Sequence, residues 1–297
     1  MKESVSIFSG EAKPLELITD EEMNALMVAI KNRYGLDFTN YEKASLKRGV
    51  NRLMMKHHMD SSLDLWGRIL KDHDFFMSAI DDLLVNLTEL FRNPDVWIKL
   101  RDEILERFKG ESLKIWHAGC STGEEVYTMA IVLEEKGLLG RTKIAASDLS
   151  TKALKKAKDG EYSLEVIKPY LTPFLKFFPD RKLEDYFEFH DKHAAIKPHY
   201  KRSVTFERHN LVHDPVTGEY DIIFCRNVMI YFDEQLKLKV LNLFYKSLKP
   251  NGYLIIGYYD IMPDAGKLLF QVEDIRTRVY RKKEEKGSTQ KPKFEKR

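Results

Sequence analysis

From Leu113 onward, short apolar runs alternate with amphipathic stretches of helical period: LKIWHAG, a helix, KIAASD, a helix, VTFERHN, YDIIFC, a helix and YLIIG. Runs this apolar suit strands covered on both faces, and the helices between them carry the chain back so that such strands pair in parallel. The expectation is an α/β domain on a mainly parallel sheet. Two further apolar pieces, LLFQVE and TRVYRK, flank a short polar turn and predict an antiparallel hairpin at one end of that sheet. Residues 183–203 interrupt the alternation. Tyr186, Phe187 and Phe189 suggest a strand there, so a small β insertion is expected.

The chain before Leu113 has a different texture. Thr19 is a candidate N-cap, with Glu22 three places on as a capping box requires. Met23, Leu26, Met27 and Ile30 follow at helical spacing and Gly35 ends the run. Helices are expected over roughly 40–58, 62–70 and 75–84, and another from Val96 to Phe108. Residues 1–18 read as a flexible lead, 19–85 as an all-helical N-terminal domain, 86–110 as linker and helix, 111–281 as the α/β domain and 282–297 as a disordered tail.

Net charge is +3, so any charged partner surface must be local. Two cysteines, Cys120 and Cys225, are too few for a disulfide framework and suit a reducing cytosol. The first residues lack the apolar core of a signal peptide, and no run approaches the roughly 18 apolar residues of a membrane span. A cytoplasmic protein without a metal site is expected.

Small and polar residues gather where the expected strands end. The segment IWHAGCSTGEE ends a strand at Ala118, brackets a tight turn with Gly119 and Gly123, and opens a helix near Glu124. Such a turn lets a nucleotide-like ligand approach the backbone and the N–H groups of a helix start. Its spacing is G-x-x-x-G, not the dinucleotide G-x-G-x-x-G, and Glu124 and Glu125 would repel phosphate but suit a cationic amino group. The same residues also fit capping boxes, Ser121 with Glu124 and Thr122 with Glu125. Asp148 ends the next strand, where a carboxylate accepts hydrogen bonds from ribose hydroxyls; it equally fits an N-cap. Arg226 and Asn227 follow the strand YDIIFC at the sheet's carboxyl edge, and Tyr231 comes next as a site residue or a core aromatic. In NLTELFRNP, Arg92 can clamp a carboxylate in a bidentate fork, or be a plain surface arginine.

No acidic residue lies between Lys43 and Met59. Arg48, Arg52 and Lys56 stand four apart and form one stripe, flanked by Lys43 and Lys47, while Leu46, Val50 and Leu53 point to the core. The stripe is either a solvated face or a surface for an acidic partner.

The segments NLTELFR (86–92), AGCSTGEE (118–125), ASDLS (146–150), HNL (209–211) and CRNVMIYFD (225–233), in that order, resemble the chemotaxis receptor methyltransferase family, CheR, over about Thr19 to Arg281. The resemblance implies a Rossmann-like S-adenosylmethionine-dependent methyltransferase domain with a small β insertion, preceded by a small all-helical domain. It implies methyl transfer from S-adenosylmethionine to glutamate side chains of chemotaxis receptors, leaving glutamyl methyl esters and S-adenosylhomocysteine. Asn86, Thr88 and Arg92 would then line the cofactor pocket. Glu125 and Asp148 would hold the amino acid and ribose parts, Asn210 and Leu211 would border the adenine, and Arg226 and Asn227 would lie beside the sulfonium. Arg92 and Tyr231 would be the catalytic pair. Lys47, Arg48, Arg52 and Lys56 would meet the acidic methylation helices of a receptor, with no nucleic acid bound and no insertion into the membrane. The family continues its last parallel strand as Gly-His-Ser-Glu, where this chain has Gly257-Tyr258-Tyr259-Asp260. That difference motivates the alternative of a cofactor-binding signalling adaptor that docks on receptors with weak turnover. The insertion lacks the glycine-bearing loop of relatives that dock on a receptor's tether, so no binding of the tether pentapeptide is expected.

Overall fold

The computed structural model describes residues 18–83, 88–216 and 218–284, and Asn86 and the expected lead and tail lie largely outside them. Contacts divide the described chain into two units, 18–39 with 43–83 and 40–42 with 88–284.

The first unit holds four helices: α1 (Asp20–Tyr34), α2 (Lys43–Lys56), α3 (Ser62–Lys71) and α4 (His73–Leu83). Thr19 caps α1 through the Glu22 amide, Glu22 returns the bond to the Thr19 amide, and Gly35 closes the helix in the left-handed conformation. Met23, Leu26 and Ile30 of α1, Val50 and Leu53 of α2, Leu65 of α3 and Phe76 of α4 are buried in the unit's core. Gly49 allows α2 to press on α4, since a Cβ there would meet the Leu83 carbonyl oxygen at 2.8 Å.

The second unit carries ten strands: β1 (Leu113–Ala118), β2 (Thr142–Asp148), β3 (Glu161–Ser163), β4 (Phe187–Phe189), β5 (His193–Ile196), β6 (Val204–Arg208), β7 (Tyr220–Cys225), β8 (Leu248–Ile256), β9 (Phe270–Asp274) and β10 (Val279–Lys282). Seven form one sheet in the order β6-β2-β1-β7-β8-β10-β9. The five from β6 to β8 are parallel, and β10 and β9 add the expected antiparallel hairpin. From β1 the chain builds outward through β2 to β6, then returns to lay β7 on the other side of β1. The strand order therefore reverses between β1 and β7, the place where open α/β sheets bind ligands beyond their carboxyl ends.

Two expectations need correction. The β insertion does not begin at residue 183: β5 pairs with both β3 and β4, so the small antiparallel sheet draws on Glu161–Ser163. Three residues are too few to show alternation, and the buried Tyr162 is the strand's only core residue. The segment expected as linker and helix belongs to the core of the second unit from Leu90 onward. Leu90, Phe91, Trp97, Leu100 and Ile104 are buried in the same cluster as β1 and β7. The helix from Pro94 changes pitch as well, running as α-helix to Lys99, π-helix over Leu100–Ile104 and 3₁₀ over Leu105–Phe108.

Candidate active site

Five turns meet the sheet's carboxyl edge near the reversal between β1 and β7. The first follows β1. Gly119, Ser121 and Gly123 all have positive φ, and Gly123 is the N-cap of the helix Glu124–Glu135, with no side-chain cap. The capping-box alternative for Ser121 and Thr122 therefore does not describe this turn. Its geometry is fixed by close packing instead: a Cβ on Gly119 would lie 2.5 Å from Val228.

Asp148, at the end of β2, holds that turn from the side. One carboxylate oxygen accepts the Ser121 amide at 2.7 Å and the other accepts the Ser150 amide at 2.9 Å. The helix that follows β2 is capped by Ser150, not by Asp148. A carboxylate oxygen can accept more than one hydrogen bond.

Glu125 joins three elements. One of its oxygens pairs with His117 Nδ1 at 3.0 Å and the other with Arg226 Nη1 at 2.9 Å. Burial opposes its charge, but the His117 hydrogen bond and the Arg226 guanidinium outweigh it and hold the carboxyl below its ordinary range. Its neighbour Glu124 behaves oppositely: burial raises its pKa, against a hydrogen bond from Thr122. The two acids that look equivalent in sequence thus have different surroundings: Glu125 forms an ion pair with Arg226, whereas Glu124 takes a hydrogen bond from Thr122.

Arg226 also reaches the segment before α5 (Pro94–Lys99). Its Nη2 donates to the Arg92 carbonyl at 3.0 Å and to Asn93 Oδ1 at 2.7 Å, and its side chain is almost fully buried. The loop it holds is strained, with φ of 54° at Phe91 and 56° at Asn93. Trp97 Nε1 shares the Arg92 carbonyl, the Phe91 amide donates to Thr128 Oγ1 at 3.0 Å, and Tyr170 donates to the Thr88 carbonyl at 3.0 Å. Arg92 itself stays partly exposed, with Nε 3.4 Å from Glu89.

Asn227 takes positive φ after Arg226, and its amide donates to Asp260. Tyr231 ends a short 3₁₀ turn and is partly exposed while packing on the core cluster that buries Phe232. Asn40 and Glu42 clip this turn: the Glu42 amide donates to the Tyr231 carbonyl at 2.7 Å and the Asp233 amide to the Asn40 carbonyl at 2.9 Å. After β6, the His209 amide donates to the Asp148 carbonyl, which sets the next turn beside Asp148. Asn210 spends its side-chain oxygen on the Val212 amide, and Leu211 packs on the core, so both shape that turn.

Arg226 bonds directly to Glu125 and to the Arg92 carbonyl, Asn227 follows it in the chain and is fastened to Asp260, and Thr88 is held through Tyr170. The structure links Asp148, Asn210 and Leu211 as a second group along the same edge. His117, Thr128, Tyr170 and Asp260 were not among the expected site residues; His117 left a signal as a polar residue inside an apolar strand run, and Asp260 stood in the segment that departs from the family's pattern.

Comparison with known proteins agrees with this layout. Residues 86–279 match the family described as "CheR methyltransferase, SAM binding domain", and residues 21–84 match "CheR methyltransferase, all-alpha domain". The chain is 37% identical over 240 residues to a Pseudomonas putida protein with the methyltransferase name Cher3, covering 80% of this chain and 88% of that one. It is 31% identical over 252 residues to chemotaxis protein methyltransferase 1 of Vibrio cholerae, covering 81% and 89%, and 30% identical over 240 residues to a chemotaxis protein methyltransferase of Listeria monocytogenes, covering 77% and 85%.

The site's donors and acceptors fit S-adenosylmethionine. Ser121 Oγ, His117 Nε2 and Arg226 Nε are buried at the reversal point without a protein partner, as expected where a polar ligand completes the bonding. Glu125 and Asp148 place two carboxylates at this edge, and the turn after β1 has the spacing G-x-x-x-G. A mainly parallel sheet that reverses at β1 and β7, a site suited to this cofactor, and matches over both of its parts make the chain a member of the CheR methyltransferase family.

Proposed function

We propose that this protein methylates glutamate side chains on chemotaxis receptors, giving glutamyl methyl esters. The observation that carries this reading is Arg92. It is a partly exposed guanidinium on a loop whose backbone is held at Thr88, Phe91 and the Arg92 carbonyl, beside Arg226 and Glu125. A planar fork held this way suits a carboxylate, and a lysine would not replace it.

When bound, the cofactor supplies a methyl group on a sulfonium, which needs no protonated leaving group. A glutamate carboxylate has a pKa near about 4.3 and is already nucleophilic at neutral pH. The chain's residues therefore have positioning work. Arg92 orients the substrate carboxylate, and Tyr231 offers an aromatic face or hydroxyl to the cationic donor. Glu125 binds the cofactor's ammonium group while neutralising Arg226, so the cationic donor does not face an uncompensated arginine. Asp148 accepts from the ribose, and the turn of Asn210 and Leu211 borders the adenine.

The partner surface on this reading is the exposed stripe of Arg48, Arg52 and Lys56 on α2, which suits the acidic helices of a receptor in the cytoplasm. Lys47 contributes less, being paired with Asp20 at 2.5 Å. Asp260 counts against a weakly active adaptor. It keeps a buried carboxylate fastened to the Asn227 turn although Gly257-Tyr258-Tyr259-Asp260 departs from the family's pattern. Transfer of radiolabelled methyl groups to receptor-bearing membranes, followed by alkaline release of methanol, tests the proposal. Label that resists alkali would exclude the ester.

A further inference from the structure

Three residues before Arg92 the chain places a carboxylate of its own. Glu89 Oε1 lies 3.4 Å from Arg92 Nε, and the side chains are 44% and 28% exposed. Glu89 carries the chemical group that, on the reading above, Arg92 receives from the substrate. We propose that Glu89 is an internal stand-in for that carboxylate: it occupies Arg92 between turnovers and must be displaced by the incoming glutamate.

The loop's construction supports this. Its backbone is held on both sides of the pair, by Tyr170 at the Thr88 carbonyl, by Thr128 at the Phe91 amide, and by Arg226 and Trp97 at the Arg92 carbonyl. The positive φ values at Phe91 and Asn93 fix the chain direction through Arg92. Both side chains of the pair are partly exposed. At 3.4 Å the contact is longer than a tight charge-assisted bond, and a partly exposed ion pair is weak, worth about 0.2–1 kcal/mol. A pair of that strength keeps the guanidinium oriented and neutralised yet yields to a second carboxylate. It also sharpens selection. A glutamate can exchange with Glu89 at little net change in charge pairing, whereas a neutral glutamine in the substrate would leave Arg92 with Glu89.

The inference rests on Arg92 receiving the substrate carboxylate, and calorimetry can separate the two. A synthetic helical peptide with one central glutamate, and its glutamine twin, are titrated into the full chain saturated with S-adenosylhomocysteine. The same titrations are run on Glu89→Gln, Arg92→Ala and the double variant. The expected result is that Glu89→Gln tightens the glutamate peptide roughly two- to fivefold. The glutamine peptide should be unchanged, and the gain should vanish in the Arg92→Ala background. If Arg92→Ala abolishes the preference for glutamate but Glu89→Gln leaves affinity unchanged or weaker, the stand-in is wrong and the Arg92 reading survives. If Arg92→Ala leaves the preference intact, both fall.

Discussion

The backbone amide of Asn227 donates to the Asp260 carboxylate at 2.8 Å, fastening the turn after β7 to the turn after β8. The same oxygen accepts the Gly257 amide at 2.7 Å. A Cβ on Gly257 would come within 2.4 Å of the Asn227 nitrogen, so the two turns touch at backbone level. Removing the carboxylate leaves two buried donors unsatisfied. Asp260→Ala should cost about 3 kcal/mol in urea unfolding. Asp260→Asn should cost less than about 1 kcal/mol, because one amide oxygen can take both bonds. Burial raises the Asp260 pKa against these backbone bonds. Its contribution to stability is therefore present below the ordinary value of 3.8 and lost as pH rises through the raised folded value, so the asparagine variant should gain on the wild type over that rise. Equal losses for both variants would mean that the carboxylate's charge, not its acceptor geometry, is what the turns need.

Glu125 titrates in the opposite sense. Its folded pKa is depressed, so its stabilising effect is present above the ordinary 4.5 and disappears as pH falls through the folded value. Glu125→Gln strips Arg226 of its counter-ion and should cost about 3 kcal/mol at neutral pH. Its stability should then fall less steeply than the wild type's below pH 4.5. Thermal unfolding monitored between neutral pH and the acid limb gives both numbers, and parallel acid limbs would remove Glu125 from the account.

Asp148 accepts the Ser121 and Ser150 amides, and on the proposed reading it also accepts from the ribose. Asp148→Asn can keep one acceptor for the protein but loses the charge offered to the hydroxyls. S-adenosylhomocysteine affinity should drop by about 1.5–3 kcal/mol in calorimetry. Unchanged affinity, with the fold intact, would show that the ribose lies elsewhere.

The basic stripe of α2 and the residues proposed to hold the cofactor belong to different units. Reversing Arg48 and Arg52 together to glutamate should abolish methyl transfer to receptors and leave S-adenosylhomocysteine binding unchanged. Rising salt should weaken the wild-type receptor contact through screening. A salt-insensitive contact would count against an electrostatic surface.

Much of this was legible in the sequence because strand cores and turn glycines carry strong local signals. The parallel strands were visible as apolar runs, and Thr19 with Glu22 announced the start of α1. The edge residues Glu125, Asp148 and Arg226 were visible because each falls where a strand ends or a helix begins. What stayed hidden depends on distant partners. Nothing local to Asp260 shows that it binds an amide 33 residues away. Nothing near Asn40 shows that it clips the turn beyond Tyr231. The strand Glu161–Ser163 is too short to declare itself, and the π turn after Lys99 leaves the apolar period almost unaltered.

The central claim is that Arg92 orients a substrate carboxylate for methyl transfer. Single-turnover transfer to receptor membranes at saturating S-adenosylmethionine measures it most directly, comparing wild type, Arg92→Ala and Arg92→Lys. The expected result is alkali-labile label with the wild type, a loss of about a hundredfold or more with alanine, and poor rescue by lysine, with S-adenosylhomocysteine affinity largely retained in both variants. Wild-type rates in Arg92→Ala, or no transfer by the wild type to its own receptors, would contradict it.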